Sequence, residues 1–206
     1  MHDSPDDVLR FWFPPVAASD EAMIRQLEWW FRGGADATIV ERYGPLFERA
    51  ARGEHDDWAR EPEARLALIL VLDQFARSLH RGTARAYAQD EKACALALEG
   101  IDNGHYAALE SPWKKTFCIV PLGHSEVLHF HDTGVALAET LVQDAAPAER
   151  RLLEHSLSQA RGHRDVIRRF GRHPHRNAAL GRESTPEEID YLAKGEFVHT
   201  RNVPRG

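Results

Sequence analysis

Residues 66–79, LALILVLDQFARSL, constrain this chain more than any other stretch. From Leu66 to Leu72 every position is apolar, so a helix built from them has no polar face. Such a helix must be covered on all sides. The rest of the chain offers helices to cover it. In TIVERYGPLFERAARG, residues Ile39, Tyr43, Leu46, Phe47 and Ala50 fall on one helical face. In DEKACALALEGIDNG, residues Ala93, Leu96, Ala97 and Ile101 do the same. Sustained alternation of β-branched residues is missing, as is any Asn-Gly hairpin turn. The expected fold class is therefore all-α: about eight or nine helices of ordinary length, stacked as antiparallel pairs with 66–79 at the centre.

Local punctuation agrees. Ser4-Pro5-Asp6-Asp7 reads as an N-cap, a first-turn proline and first-turn acids. Thr185-Pro186-Glu187-Glu188 reads as a capping box. Ser111-Pro112, Pro62 and Pro147 mark further starts, and Gly53, Gly82, Gly104, Gly171 and Gly181 mark stops. The apolar segment 113–142 contains Pro121 and should break or kink there, just before His124-Ser125-Glu126. Residues 62–104 read as a helix pair of tetratricopeptide type, although no clean repeat of about 34 residues is present. One domain is expected over 1–197, with a mobile tail at 198–206.

Composition narrows the function classes. Hydrophobic residues are 43% of the 206, enough for a substantial core. The net charge of −6 opposes general nucleic-acid binding, which rests on surplus Lys and Arg. No apolar run is long enough to span a bilayer, and MHDSPDDVLRFWFPP lacks the pattern of a signal peptide. Cys94 and Cys118 form neither a C-x-x-C nor a disulfide framework, which suits a reducing cytoplasm.

Against this acidic background, RFGRHPHRNAALGRESTPEE (169–188) concentrates cations. Arg168, Arg169 and Arg172 lie near a helix end at Gly171, where the macrodipole stabilises a cation by about 0.3–1 kcal/mol. His175 and Arg176 are expected in the first turn of a following helix, the end that favours anions. Something negative should face them: buried Asp73, Glu126 or a bound anion. Asp73 interrupts the most apolar helix and shares a face with Arg77 at i+4.

Other chemistry is weakly signalled. His124, Glu126, His129, His131 and Asp132 are metal-capable, and Glu126/His129 is an E-x-x-H pair. A di-iron bundle needs two such pairs and two further carboxylates. No metal and no cofactor is therefore expected, and the cluster reads as solvated or capping histidines. Ser125 has His124 and Glu126 as sequence neighbours, which do not face one another on a helix. Cys118 sits in an apolar run and reads as an inert core thiol. Trp12, Trp29, Trp30 and Phe31 read as core packing.

Several stretches together resemble the bacterial family catalogued as domain of unknown function 924. They are VLRFWF (8–13), WWF (29–31), LDQFARSLHRGTARAYAQD (72–90), PLGHSE (121–126), RFGRHPHRNAALGR (169–182) and STPEE (184–188). The resemblance implies an all-helical, tetratricopeptide-like fold and transfers no catalytic residue. This chain departs from the usual pattern at Ala76 and Ser78, where Pro and Asn are common, and at His173, where Phe is usual. Ala76 should let the central helix run unbroken.

Asp73, Arg77, His124, Glu126, Arg172, His175, Arg176 and Asn177 are expected to converge on one polar pocket. Three readings are open. The leading one is a binding module for an anionic small molecule or the anionic group of a protein partner, with Arg77, Arg172, Arg176 and Asn177 as ligand-binding residues. The second is an acid/base enzyme, hydrolase-like, with His124 or His175 moving protons and Asp73 or Glu126 orienting them. The third is a satisfied structural network. An enzyme needs a His or carboxylate at an open wall, a binding module needs only the arginines, and the structural case leaves no cavity.

Overall fold

The computed structural model describes residues 4–15 and 19–195; the tail expected to be mobile lies outside them. Its helices are α1 (Pro5–Trp12), α2 (Asp20–Phe31), α3 (Asp36–Arg42), α4 (Gly44–Ala51), α5 (Pro62–Leu70) and α6 (Ala76–Leu79). They continue as α7 (Asp90–Asp102), α8 (His105–Ala108), α9 (Pro112–His124), α10 (Leu128–Asp144), α11 (Pro147–Phe170) and α12 (Pro186–Lys194). No strand occurs among the described residues, as expected. Helical segments are more numerous than the sequence pattern suggests, partly because Pro45 restarts the helix after Tyr43, splitting 36–51 into α3 and α4.

The apolar segment is central. Leu66 through Leu72 are at most 1% exposed, and α5 packs against α1, α7 and α9. Each such leucine contributes about 1.5–3 kcal/mol when fully buried. The helix is continuous but not uniform: Val71–Phe75 form a π-helical turn between α5 and α6. Such turns interrupt the regular bonding ladder and frequently mark functional positions.

Expected caps are present. The Ser4 hydroxyl accepts from the Asp7 N–H, and Thr185 and Glu188 form the reciprocal capping box. The break expected around Pro121 falls at Ser125. α9 carries Pro121 inside it and runs one turn further, since a proline interior to a helix removes its own donor while later N–H groups still bond. Ser125 N–H donates to Pro121 O at 3.2 Å, and the backbone is extended at Ser125. α11 ends at Gly171, whose φ of 69° suits glycine. Beyond it the chain forms a single 3-10 turn, Pro174–Arg176, not a helix. The expectation that His175 and Arg176 sit at a helix N-terminus is thus overturned.

Candidate functional site

Asp73 lies in the π-helical turn and is 1% exposed. Its Oδ1 is 2.7 Å from His124 Nδ1 and 3.2 Å from Arg77 Nη1, while Gln74 Nε2 donates to its Oδ2 at 2.5 Å. Burial pushes this carboxyl up, but Arg77, His124 and the donated hydrogen bonds outweigh it and hold Asp73 far below the usual carboxylate range. An ionised Asp73 can only accept, so the His124 proton sits on Nδ1. When the ring is neutral, Nε2 carries the free lone pair. The His124 side chain remains 17% exposed and lines a cleft of about 400 Å³.

Arg77 donates through Nη2 to both oxygens of Asp90 at 3.0 Å, and Arg176 donates to Asp90 Oδ2 at 2.9 Å. The Arg176 guanidinium also lies 4.6 Å over the Tyr87 ring. Arg176 therefore finds neither Asp73 nor Glu126 but Asp90. Two arginines face two aspartates here, so the surplus of arginine that would call for an anion is not present. Asp90 escapes sequence reasoning because a first-turn acid on α7 already has a sufficient explanation in the macrodipole.

Glu126, Arg172 and Asn177 belong to a neighbouring network. Arg182 donates to both Glu126 oxygens at 2.8 and 3.1 Å and also to Asn177 Oδ1 and His173 O. Arg172 donates to both Glu188 oxygens at 2.6 and 2.7 Å and to Glu183 O. Asn177 donates to Glu188 and Ser184. These bonds tie the segment after α11 down, and none of the three residues lines the cleft. The expected convergence is thus split: Asp73, Arg77, His124, His175 and Arg176 gather at or against the cleft, while Glu126, Arg172 and Asn177 do not reach its wall. Glu188 reads as a cap in sequence, and nothing there signals its second role as partner of Arg172.

Glu188 is 2% exposed, and the bonds from Arg172 draw its carboxyl down to about 2 against the opposing effect of burial. Glu188→Gln should destabilise the protein by about 1–3 kcal/mol, the cost of leaving buried donors poorly met. Glu187→Gln, which removes the exposed partner of Arg169, should change stability by less than about 0.5 kcal/mol. Urea titration of both variants checks the difference. The Glu188 contribution is full above the unfolded value of about 4.3 and fades as pH falls toward about 2.

Histidines crowd the cleft. The His124 and His163 rings lie 6.3 Å apart, and His173 is 5.8 Å from His163, 6.0 Å from His131 and 5.4 Å from His175. Of the two expected roles, solvated or capping, His131 takes the second: it is buried, and its Nε2 lies 2.8 Å from O of Ser125, the C-cap residue of α9. His129 instead packs on Phe130. No group of three His, Cys, Asp or Glu among the described residues is placed to hold a metal ion. His163, on α11, also lines the cleft; no motif around it signals it in the sequence. His173 is 1% exposed with both ring nitrogens unpartnered. Cys118 is buried, and burial pushes its thiol up to about 12. Trp12 and Trp30 are core as expected, but Phe31 is 49% exposed and lines the cleft.

Fold and site together define an all-helical protein with a histidine-lined cleft backed by a buried Asp-His pair. The sequence profile of the bacterial proteins of unknown function catalogued as DUF924 matches residues 8–196, and the chain belongs to that family. A structure of a protein of unknown function from Agrobacterium tumefaciens is similar, with 36% identity over 93% of this chain and 97% of that one and a TM-score of 0.73. No curated protein matches. Among the described residues, no helix is long and apolar enough to cross a membrane.

Proposed function

We propose that the cleft takes a small molecule and that His124 moves a proton on it, held in place by Asp73. One observation carries this reading: the ring lines an open cleft while its Nδ1 is 2.7 Å from a carboxylate that is 1% exposed. A buried, ionised aspartate fixes both the orientation and the tautomer of the imidazole, leaving Nε2 toward the ligand as a general base. Arg77, Arg176 and His175 also line the cleft; the two arginines are charge-balanced by Asp73 and Asp90, and what they offer a substrate is N–H donation to an oxygen on which charge develops. With no serine or cysteine paired to His124 among the described residues, water is the natural nucleophile and hydrolysis of a small carboxylic or phosphoric derivative the natural reaction class.

The test is turnover of p-nitrophenyl butyrate, p-nitrophenyl phosphate and a small lactone between pH 5 and 9. Turnover of at least one is expected. His124→Gln should lower it about 100-fold to 10,000-fold, and Asp73→Asn by a similar factor through the wrong tautomer, with His129→Gln unchanged. Equal turnover in His124→Gln would remove the base from this role. A second reading, binding of an anionic small molecule without chemistry, draws on the same Arg77, Arg176 and His175 of the cleft. Phosphate or acetate raising the melting temperature without any turnover would favour it.

A further inference from the structure

We propose that the ligand is an amphiphile: an aliphatic chain with a carboxyl or carboxyl-derived head, the head at His124 and the chain along α9 and α10. This rests on the cleft being the binding site. The histidines of α9, α10 and α11 meet at one level, since His124 lies 6.3 Å from His163 and His131 joins them through His173. From that level the cleft follows the helices away from the polar end. On α9 it is lined by Val120, Ile119 and then Thr116; on α10 by Val135, Ala138 and Leu141. Those positions recur at helical spacing, so each helix presents one continuous apolar edge. From His124 back to Thr116 is eight positions of helix, about 12 Å at 1.5 Å per residue.

Ile119, Val135 and Ala138 of this edge belong to the buried core, and two further features open space beside them. Phe31, stacked on Phe117 at 5.6 Å, stays 49% exposed at the cleft. A Cβ built on Gly123, which lines the cleft one position before His124, would meet nothing within 4 Å, so open space reaches the α9 backbone there. The α11 side is more polar, with Gln159 and Ser156 facing the same space. A chain lying on α9 and α10 beneath a head near Arg77, Arg176 and His124 matches this division. A wholly polar substrate would gain nothing from the apolar edge, and a plain hydrocarbon would offer no acceptor to Arg176 Nε, which is buried without a partner.

Binding of butyrate, hexanoate, octanoate and octylamine to the full chain, followed by calorimetry and by the fluorescence of Trp12 and Trp30, tests the proposal. Affinity should rise about threefold to fourfold per methylene, equivalent to about 0.8 kcal/mol each, or on the order of 100-fold from butyrate to octanoate. Octylamine should bind at least about tenfold more weakly than octanoate, since its ammonium only donates and cannot accept from the Arg77 and Arg176 N–H groups. Ala138→Phe should weaken octanoate more than butyrate by filling the chain's path. Equal affinity for all chain lengths, or for octylamine and octanoate, overturns the proposal, and so does an Ala138→Phe variant that folds and binds octanoate as before. The chain-length series in the unmutated protein decides the matter even if that variant fails to fold. Chain dependence without turnover in any assay would sink proton transfer by His124 and leave the amphiphile standing; turnover without chain dependence would do the reverse.

Discussion

Asp90→Ala is expected to cost about 3–5 kcal/mol, the penalty for stranding buried charge by removal of its partner. Asp90 receives Arg77 through two bonds at 3.0 Å and Arg176 at 2.9 Å, and the side chain of Arg176 is only 6% exposed. Without Asp90, Arg176 keeps no carboxylate within bonding distance, and Arg77 keeps only Asp73. Arg176→Ala should be milder, about 1–3 kcal/mol, because Asp90 retains Arg77. Urea unfolding midpoints read both. A loss below about 1 kcal/mol for Asp90→Ala would mean that water reaches the arginines and that the pair is worth no more than a surface contact.

His173→Phe is expected to work in the opposite direction, stabilising the protein by about 1–3 kcal/mol at neutral pH. An unpartnered buried polar group costs about that much, and replacing it by an apolar group of similar shape removes the cost. Burial, then Arg176, His163, His175 and His124, drive the His173 pKa well below its ordinary value, so the folded protein holds this ring neutral. The unfolded chain protonates near its ordinary value of about 6.5. Above that pH neither state binds the proton and His173 gives no pH dependence. Below it the unfolded state takes up the proton first, and stability falls by up to about 1.4 kcal/mol per pH unit. His173→Phe should flatten that decline. His131, whose pKa burial also lowers, should keep some of it. Melting temperatures from pH 7.5 to 5 give the two slopes; parallel curves for the variant and the unmutated protein would place the proton uptake elsewhere.

The helical class was legible because Leu66–Leu72 admits no surface position and because caps such as Ser4 and Thr185 carry their own chemistry. Asp73, Arg77 and His124 were legible as polar residues in apolar surroundings, and His175 and Arg176 as cations crowded into one stretch of an acidic chain. The pairing among them was not. Asp90 looks sufficient as a first-turn acid, Glu188 as a cap, and Arg182 as one more cation in a crowded stretch, so each had a local reason to exist and none advertised a distant partner. The π-helical turn at Val71–Phe75 leaves no mark either, since its composition is that of any buried helix. His173 was visible as a departure from the family's usual Phe.

Arg176 reaches Asp90 across 86 positions of chain, and His124 reaches Asp73 across 51. Contacts of that separation form only after long loops have closed, against an entropy that nothing local repays. α5 and α7 can pair early, as neighbours in sequence, and bury Leu66–Leu72 without the last third of the protein. The wall of the cleft has no such shortcut. Arg77 is placed by α6, but His175 and Arg176 come from the segment after α11, so the site is complete only when that segment has docked.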